Sequence, residues 1–469
     1  MGHRGVSRRR LLFAALALLI AHIFAPFASG TFARAAASAA TNLVAIPQTP
    51  LGEQLLWTLD QVNQGGDGLS SLDLKDHVAG RYLTNYPAKY LIGDFQSLGT
   101  IAPMIVGRFE GPVLPDRLSA VLVTGSGQDW RLILGIDHGR LHKIDVLYFQ
   151  PLYLPAYVKN PPKSFKGLNA RVADVAPKAG FIAAEVEDGQ CLPLTPGVNA
   201  DKPLAIASSF KLYVLGELVR QIEVGEASWN EPLALRDDWK SLPSGDYVYQ
   251  PAGSIYTLEQ FAEEMISQSD NTATDHLIFR LGRENIEANF ATMGLANPQL
   301  DTPLVATREW FAMRIRFSNK NLQRYVDAST ATRRKILAND ADPTANTLTL
   351  NEIWPGQQWS QSIEWFASPA DLCRAMAYLQ DQGQNPALSP IYDALSINPG
   401  VNFDAKTWRY VGFKEGYETG VKSMVWLLQR ADGRWFTIAT IINDPNEEID
   451  GQTLSRLMLT ASNILADVE

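Results

Sequence analysis

Cysteine and histidine are scarce in this chain of 469 residues, which holds two cysteines, Cys191 and Cys373, and six histidines. Two cysteines build neither a disulfide scaffold nor a metal centre, so both are expected to be structural; export would permit a disulfide. His138 and His142 stand four apart, but Gly139 and the strand pattern around them suggest a hairpin rather than one helix face. They read as surface residues, not as a zinc site. No Gly-x-Ser-x-Gly elbow and no phosphate-binding glycine loop is present, which leaves a Ser-His-Asp hydrolase and a nucleotide enzyme without support. Neither a metal nor a cofactor is expected. Charge of positive sign is also short. Five of the 41 basic residues lie in residues 1–35, which contain no acid, leaving 36 against 50 acids and a balance of −14. Such a body repels phosphate backbones, so nucleic acid is not an expected partner.

What is present is a globular composition, 46% hydrophobic and 19% charged, in a chain too long for one ordinary core. Residues 1–35 read as an export signal. Arg8, Arg9 and Arg10 precede an apolar run from Leu11 to Phe27, and Ala33-Arg34-Ala35 offers a cleavage site. The paired arginines resemble a twin-arginine signal, which would place the protein in the periplasm, at the cell surface or outside the cell. An uncleaved anchor is the competing reading, and then the leader alone would touch a membrane; with no cysteine nearby, a lipid anchor is excluded. Residues 36–48 read as a tether.

From residue 49 to 155 the pattern is helices first, then strands. Leu55, Leu56, Leu59 and Val62 recur at helical spacing. Short β-rich runs follow around Val106, Ser119, Trp130 and Leu141, separated by glycine-containing turns. This predicts an α+β domain. Arg131, Asp145 and the hairpin histidines form no opposed pair of titratable groups, so a structural or substrate-presenting role is expected, with no catalysis of its own. Prolines mark a linker over 156–167. Residues 168–469 open and close with strand-like segments around a long helical middle, which predicts one antiparallel sheet built from both chain ends, flanked by helices.

Three short motifs carry chemistry. Ser208-Ser209-Phe210-Lys211 is the one Ser-x-x-Lys in the chain, at the start of an amphipathic helix. The spacing puts the lysine amine one turn from the serine hydroxyl, and the helix N-terminus favours an anionic intermediate. A helix cap with a solvated lysine would look the same. Ser269-Asp270-Asn271 falls in a short connection between two helices, the first opened by a Thr257–Gln260 capping box. There a hydroxyl can relay a proton and an amide can hold a carbonyl; a plain polar turn is the bland alternative. Lys414-Glu415-Gly416 ends a strand-like run. Lys414 would supply positive potential and Gly416 would let a substrate lie flat, unless this is an ordinary charged edge strand.

The order of the three motifs resembles that of the class A β-lactamases and penicillin-binding proteins. The stretches MISQSDNTATDHLIFRLG and ASPADLCRAMAYL are similar to that family over residues 170–469. The whole layout is similar to two-domain serine hydrolases of the clavulanic-acid-cluster cephalosporinase/esterase type. The resemblance implies a β-lactamase/transpeptidase-like domain behind a cone-like domain of the steroid-isomerase (NTF2-like) kind. It also implies a serine hydrolase working through an acyl-enzyme on a β-lactam, an ester or a cell-wall peptide. Carried over, Ser208 is the nucleophile, Lys211 its base, and Ser269 a proton shuttle. Asn271 anchors substrate and Lys211, Lys414 is an electrostatic partner, and the amides of Ser208 and Tyr417 make the oxyanion hole. For Lys211 to act as a base, burial and Lys414 must depress its pKa.

Two departures stand out. Glu415 occupies the place of the family's threonine or serine and would repel a substrate carboxylate. No glutamate matches the deacylating pattern: Glu309 is the best placed, but Thr307 reads as an N-cap and Glu309 as a first-turn acid. A catalytically weak cell-wall peptide-binding module and a D-alanyl-D-alanine carboxypeptidase-like enzyme stand as alternatives.

Overall fold

A computed structural model of the chain describes residues 44–85, 88–110, 113–126, 129–137, 139, 141–151, 160–348, 363–401, 403–446, 449 and 451–469. The leader, most of the tether, His138 and the start of the linker lie outside the described residues. The chain divides into two compact units, residues 1–152 and 153–469.

The first unit runs α1 (Pro50–Asn63), α2 (Ser71–His77), α3 (Gly80–Asn85), α4 (Ala88–Gly99), β1 (Met104–Glu110), β2 (Arg117–Thr124), β3 (Trp130–Ile136) and β4 (Ile144–Pro151). Its four strands form one sheet in sequence order, each antiparallel to the next. Leu51, Leu55, Leu59 and Val62 of α1 recur at i, i+4, i+8 and i+11, and with Phe95 of α4 they bury against Leu118, Leu122, Leu132 and Leu134 of the sheet. Leu56 is an exception to the expected stripe. It lies off that face and is 48% exposed. Arg131 and Asp145 are both buried.

The second unit contains α5 (Phe165–Ala173), β5 (Lys178–Glu187), β6 (Gln190–Pro193), β7 (Leu204–Ala205), α6 (Lys211–Glu223), β8 (Pro232–Ala234), β9 (Ile255–Thr257), α7 (Leu258–Ser267), α8 (Asn271–Leu281), α9 (Arg283–Asn289) and α10 (Thr307–Arg316). Further helices follow, then β10 (Phe366–Ala367), helix 369–383, β11 (Trp408–Glu418), β12 (Val421–Arg430), β13 (Trp435–Asn443) and helix 451–466. The main sheet has the order β11-β12-β13-β5-β6, so strands from both ends of the unit complete one antiparallel sheet. One face packs on α6, α7, α8 and helix 369–383. The other packs on α5 and helix 451–466. Cys191 on β6 and Cys373 on helix 369–383 are joined in a disulfide. The strand carrying Lys414 extends to Glu418, further than its apolar run suggests, because residues 414–418 continue the ladder with β12.

Candidate active site

The chain enters the site through β7, which pairs with β10, and the Ile206 amide donates to the Trp365 carbonyl at 2.9 Å. Ala207 then adopts φ +44°, a left-handed conformation unusual for a residue with a Cβ. The turn so made leads into a single 3₁₀ turn, Ala207–Phe210, that runs straight into α6. Ser208 therefore stands at the start of the helix, half-buried, with Lys211 one turn behind it.

Lys211 is fully enclosed. Its Nζ lies 2.6 Å from the Ser269 carbonyl, 3.2 Å from Ser269 Oγ and 2.7 Å from Asn271 Oδ1. The connection between α7 and α8 delivers these groups. Thr257 and Gln260 cap α7 reciprocally, as expected. Ser269 takes φ +54°, and Asp270 caps α8 by accepting from the Ala273 amide at 2.7 Å while also accepting from the Tyr247 amide at 2.8 Å. Asn271 is held at both ends, its Oδ1 by Lys211 and its Nδ2 by the Leu242 carbonyl at 3.1 Å.

Lys414 reaches the same hydroxyl from the strand. Its Nζ donates to Ser269 Oγ at 2.9 Å and to the Glu415 carbonyl at 2.8 Å. One serine hydroxyl is thus shared by two buried lysines. Burial, then the positive charge of Lys414, holds the Lys211 pKa well below the ordinary lysine value, against the opposing pull of Asp270 and Asp275. Burial lowers Lys414 to about 7, with Glu415 resisting and Lys422 assisting.

Side-chain alternation puts Lys414, Gly416 and Glu418 on one face of β11 and Glu415 and Tyr417 on the other. Glu415 is not the unopposed charge that the sequence suggests. Lys422, on the neighbouring strand, donates to its Oε2 at 2.5 Å and also lies 5.3 Å from the centre of the Tyr417 ring. Gly416 has a tighter duty than admitting a flat substrate. A Cβ there would fall 2.0 Å from the Ile206 carbonyl oxygen, 2.7 Å from Ser423 Oγ and 2.8 Å from the Ser208 amide nitrogen.

Glu309 is buried and committed. It accepts from the Ala306 amide at 2.8 Å and binds Arg283 through both oxygens, at 2.9 and 2.7 Å. Thr307 is not the N-cap. It begins α10, and Asp275 of α8 accepts from the amides of Thr307 and Arg308, each at 2.8 Å. A carboxylate from another helix does the capping, so the local pattern misleads. His142 offers its carbonyl to Gln54 at 3.2 Å.

Sequence reasoning missed three groups. Ser209 and Ser423 are fully buried, with hydroxyls 2.7 Å apart, and Ser423 Oγ donates to the Ile206 carbonyl at 2.6 Å. Lys422 carries no motif of its own. Glu418 and Glu364 meet as a carboxyl pair beside Arg314, which binds Glu364 at 2.9 Å. Burial, then the charge of Glu364, pushes the Glu418 pKa well above the usual carboxylate range, while Glu364 faces the Arg314 guanidinium.

The family described as the Beta-lactamase enzyme family matches residues 164–467. No curated protein matches the chain. Among solved structures, similarity is found to PBP-A, captured as an acyl-enzyme complex with penicillin G, at 19% identity over 65% of this chain and 99% of that one, with a TM-score of 0.43. A β-lactamase from Sphaerobacter thermophilus DSM 20745 shares 20% identity over 64% and 96% of the two chains, TM-score 0.46. A β-lactamase from Francisella tularensis shares 15% over 65% and 97%, TM-score 0.43.

Proposed function

The chain belongs to the β-lactamase enzyme family, and from that premise we propose that it is a serine hydrolase acting through an acyl-enzyme on Ser208. The observation that carries this reading is the enclosed Lys211 amine, one turn from Ser208 and sharing the Ser269 hydroxyl with Lys414. A buried lysine beside a second cation is neutral more readily than an exposed one, which is the state a base requires. Lys211 takes the Ser208 proton as Oγ bonds to the acyl carbon. The negative oxygen is met by the amides of Ser208 and Tyr417. Ser269 then gives its proton to the leaving group and regains one from Lys211, with Lys414 stabilising the exchange. Water completes the cycle. Glu309 is not the group that activates it, because both its oxygens are engaged.

The substrate class on this reading is a β-lactam, an ester or a peptidoglycan-derived acyl donor. A weak peptide-binding module loses its main support once Glu415 is paired with Lys422. The disulfide suits an exported protein, since such bonds persist in oxidising compartments. The helices-then-meander order of the first unit suits a steroid-isomerase-like (NTF2-like) domain, for which a structural or substrate-presenting role is the reading we favour. The test is labelling of the full-length protein with a fluorophosphonate or a fluorescent penicillin, read by intact mass and peptide mapping. Label on the Ser208 peptide, abolished by Ser208→Ala, is expected. Label that survives the substitution refutes the assignment.

A further inference from the structure

The residue before the nucleophile is the least comfortable in the site. Ala207 holds φ +44°, a conformation that brings a Cβ too close to the following carbonyl oxygen and that only glycine adopts freely. It persists only if its surroundings leave no alternative, and those surroundings centre on one atom, the Ile206 carbonyl oxygen. Three groups fix that oxygen. The Ser209 amide donates to it at 3.2 Å. Ser423 Oγ donates to it at 2.6 Å. The bare α-carbon of Gly416 leaves it just enough room, since a Cβ there would fall 2.0 Å away.

The proton count fixes the direction of the chain of hydroxyls. Ser423 has one hydrogen and spends it on the Ile206 carbonyl, so in the 2.7 Å contact between the two hydroxyls Ser209 is the donor. Both serines are fully buried, where a hydrogen bond is stronger than in water. Register explains how a strand residue reaches the turn. Ser423 lies directly opposite Gly416, and the missing side chain at Gly416 opens the path from Ser423 Oγ to Ile206. The Ile206 amide, on the other side, is tied to the Trp365 carbonyl at 2.9 Å.

We propose that Ser423, backed by Ser209, is a positioning residue for acylation: it clamps the Ile206 carbonyl, keeps Ala207 left-handed, and so aims the Ser208 hydroxyl and amide at one point. The inference rests on the acyl-enzyme reading above and adds a residue outside the three motifs. Ser423 touches neither substrate nor leaving group. Its effect passes through backbone geometry, and a displacement of about 1 Å at a nucleophile lowers rate on the order of 100-fold.

The full-length protein is labelled with a fluorophosphonate, and turnover of a chromogenic aryl ester is followed in parallel. Ser423→Ala should slow labelling and kcat by about 30- to 100-fold with KM changed less than about threefold. Ser423→Thr, which keeps the hydroxyl, should recover most of the rate. Ser209→Ala removes only the outer donor and should cost a few-fold, which provides a second reading if Ser423→Ala does not fold. The discriminating variant is Ala207→Gly, because glycine adopts the turn without the clamp. Combined with Ser423→Ala, it should restore the rate to within about fivefold of the Ala207→Gly protein. A double variant as slow as Ser423→Ala, or a Ser423→Ala that labels like wild type, overturns the clamp while leaving the acyl-enzyme reading standing. A wild type that takes no label overturns both.

Discussion

Gly416→Ala is the sharpest perturbation the site offers, since it puts a methyl group in place of a hydrogen at a point where backbone meets backbone. The new Cβ would fall 2.0 Å from the Ile206 oxygen and 2.8 Å from the Ser208 nitrogen. Carbon and oxygen rest at roughly 3.4 Å, so a gap of more than about 1 Å has to be opened. The strand has little freedom to open it, because residues 410–418 are laddered to β12 on one side. The segment before Ser208 must yield instead, and the nucleophile moves with it. Overpacking of this kind costs about 1–3 kcal/mol of stability, or a few degrees in Tm for a unit of this size. The rate should suffer more, by about 100-fold in acylation. Thermal melting and stopped-flow acylation by an aryl ester, run on the same preparations, separate the two. A Gly416→Ala protein that acylates within about threefold of wild type would show that the Ile206–Ser208 segment is not held by the strand.

Two further outcomes follow from protonation. Acylation should rise with pH as Lys211 is deprotonated, beginning below the usual lysine range, and fall again near pH 7 as Lys414 loses the charge it lends to Ser269; Lys414→Arg should erase the alkaline limb, and a limb that survives the substitution assigns it elsewhere. The Glu364–Glu418 pair acts on stability. The folded pKa of Glu418 is raised, so its contribution is complete below the unfolded value of about 4.3 and is lost as pH climbs through the folded one; Glu418→Gln should flatten the fall in Tm as pH rises above the ordinary carboxylate range, and parallel curves for the two proteins would refute this.

The parts of the site legible in the sequence are those set by neighbours a few residues apart. Ser208 and Lys211 share a helix, Thr257 and Gln260 share a cap, and the Ser269–Asn271 connection lies between two periodic segments. What escaped depends on partners far along the chain. Nothing near Glu415 announces Lys422, because their contact follows from the register of the β11–β12 hairpin. Thr307 has the composition of a cap, but Asp275, 32 residues earlier, takes the exposed amides first. Leu56 satisfies the apolar pattern of α1 locally and still falls outside the stripe, because the strands decide which side of the helix is covered. Ser423 looks like any serine in a strand until Gly416 is found opposite it.

The Cys191–Cys373 bond closes a covalent ring across a sequence separation of 182. Ser208 and Ser269 lie on the ring, whereas Lys414, Gly416 and Ser423 lie on the tail that leaves it. Closing a loop of that length removes chain entropy worth roughly 5 kcal/mol from the unfolded state. It also means that a backbone cut anywhere between the two cysteines frees no fragment: both pieces stay attached, the nucleophile stays on the body, and the break becomes visible only after reduction. A cut between Cys373 and β11 behaves in the opposite way, leaving no covalent link between Lys414 and the serines on the ring.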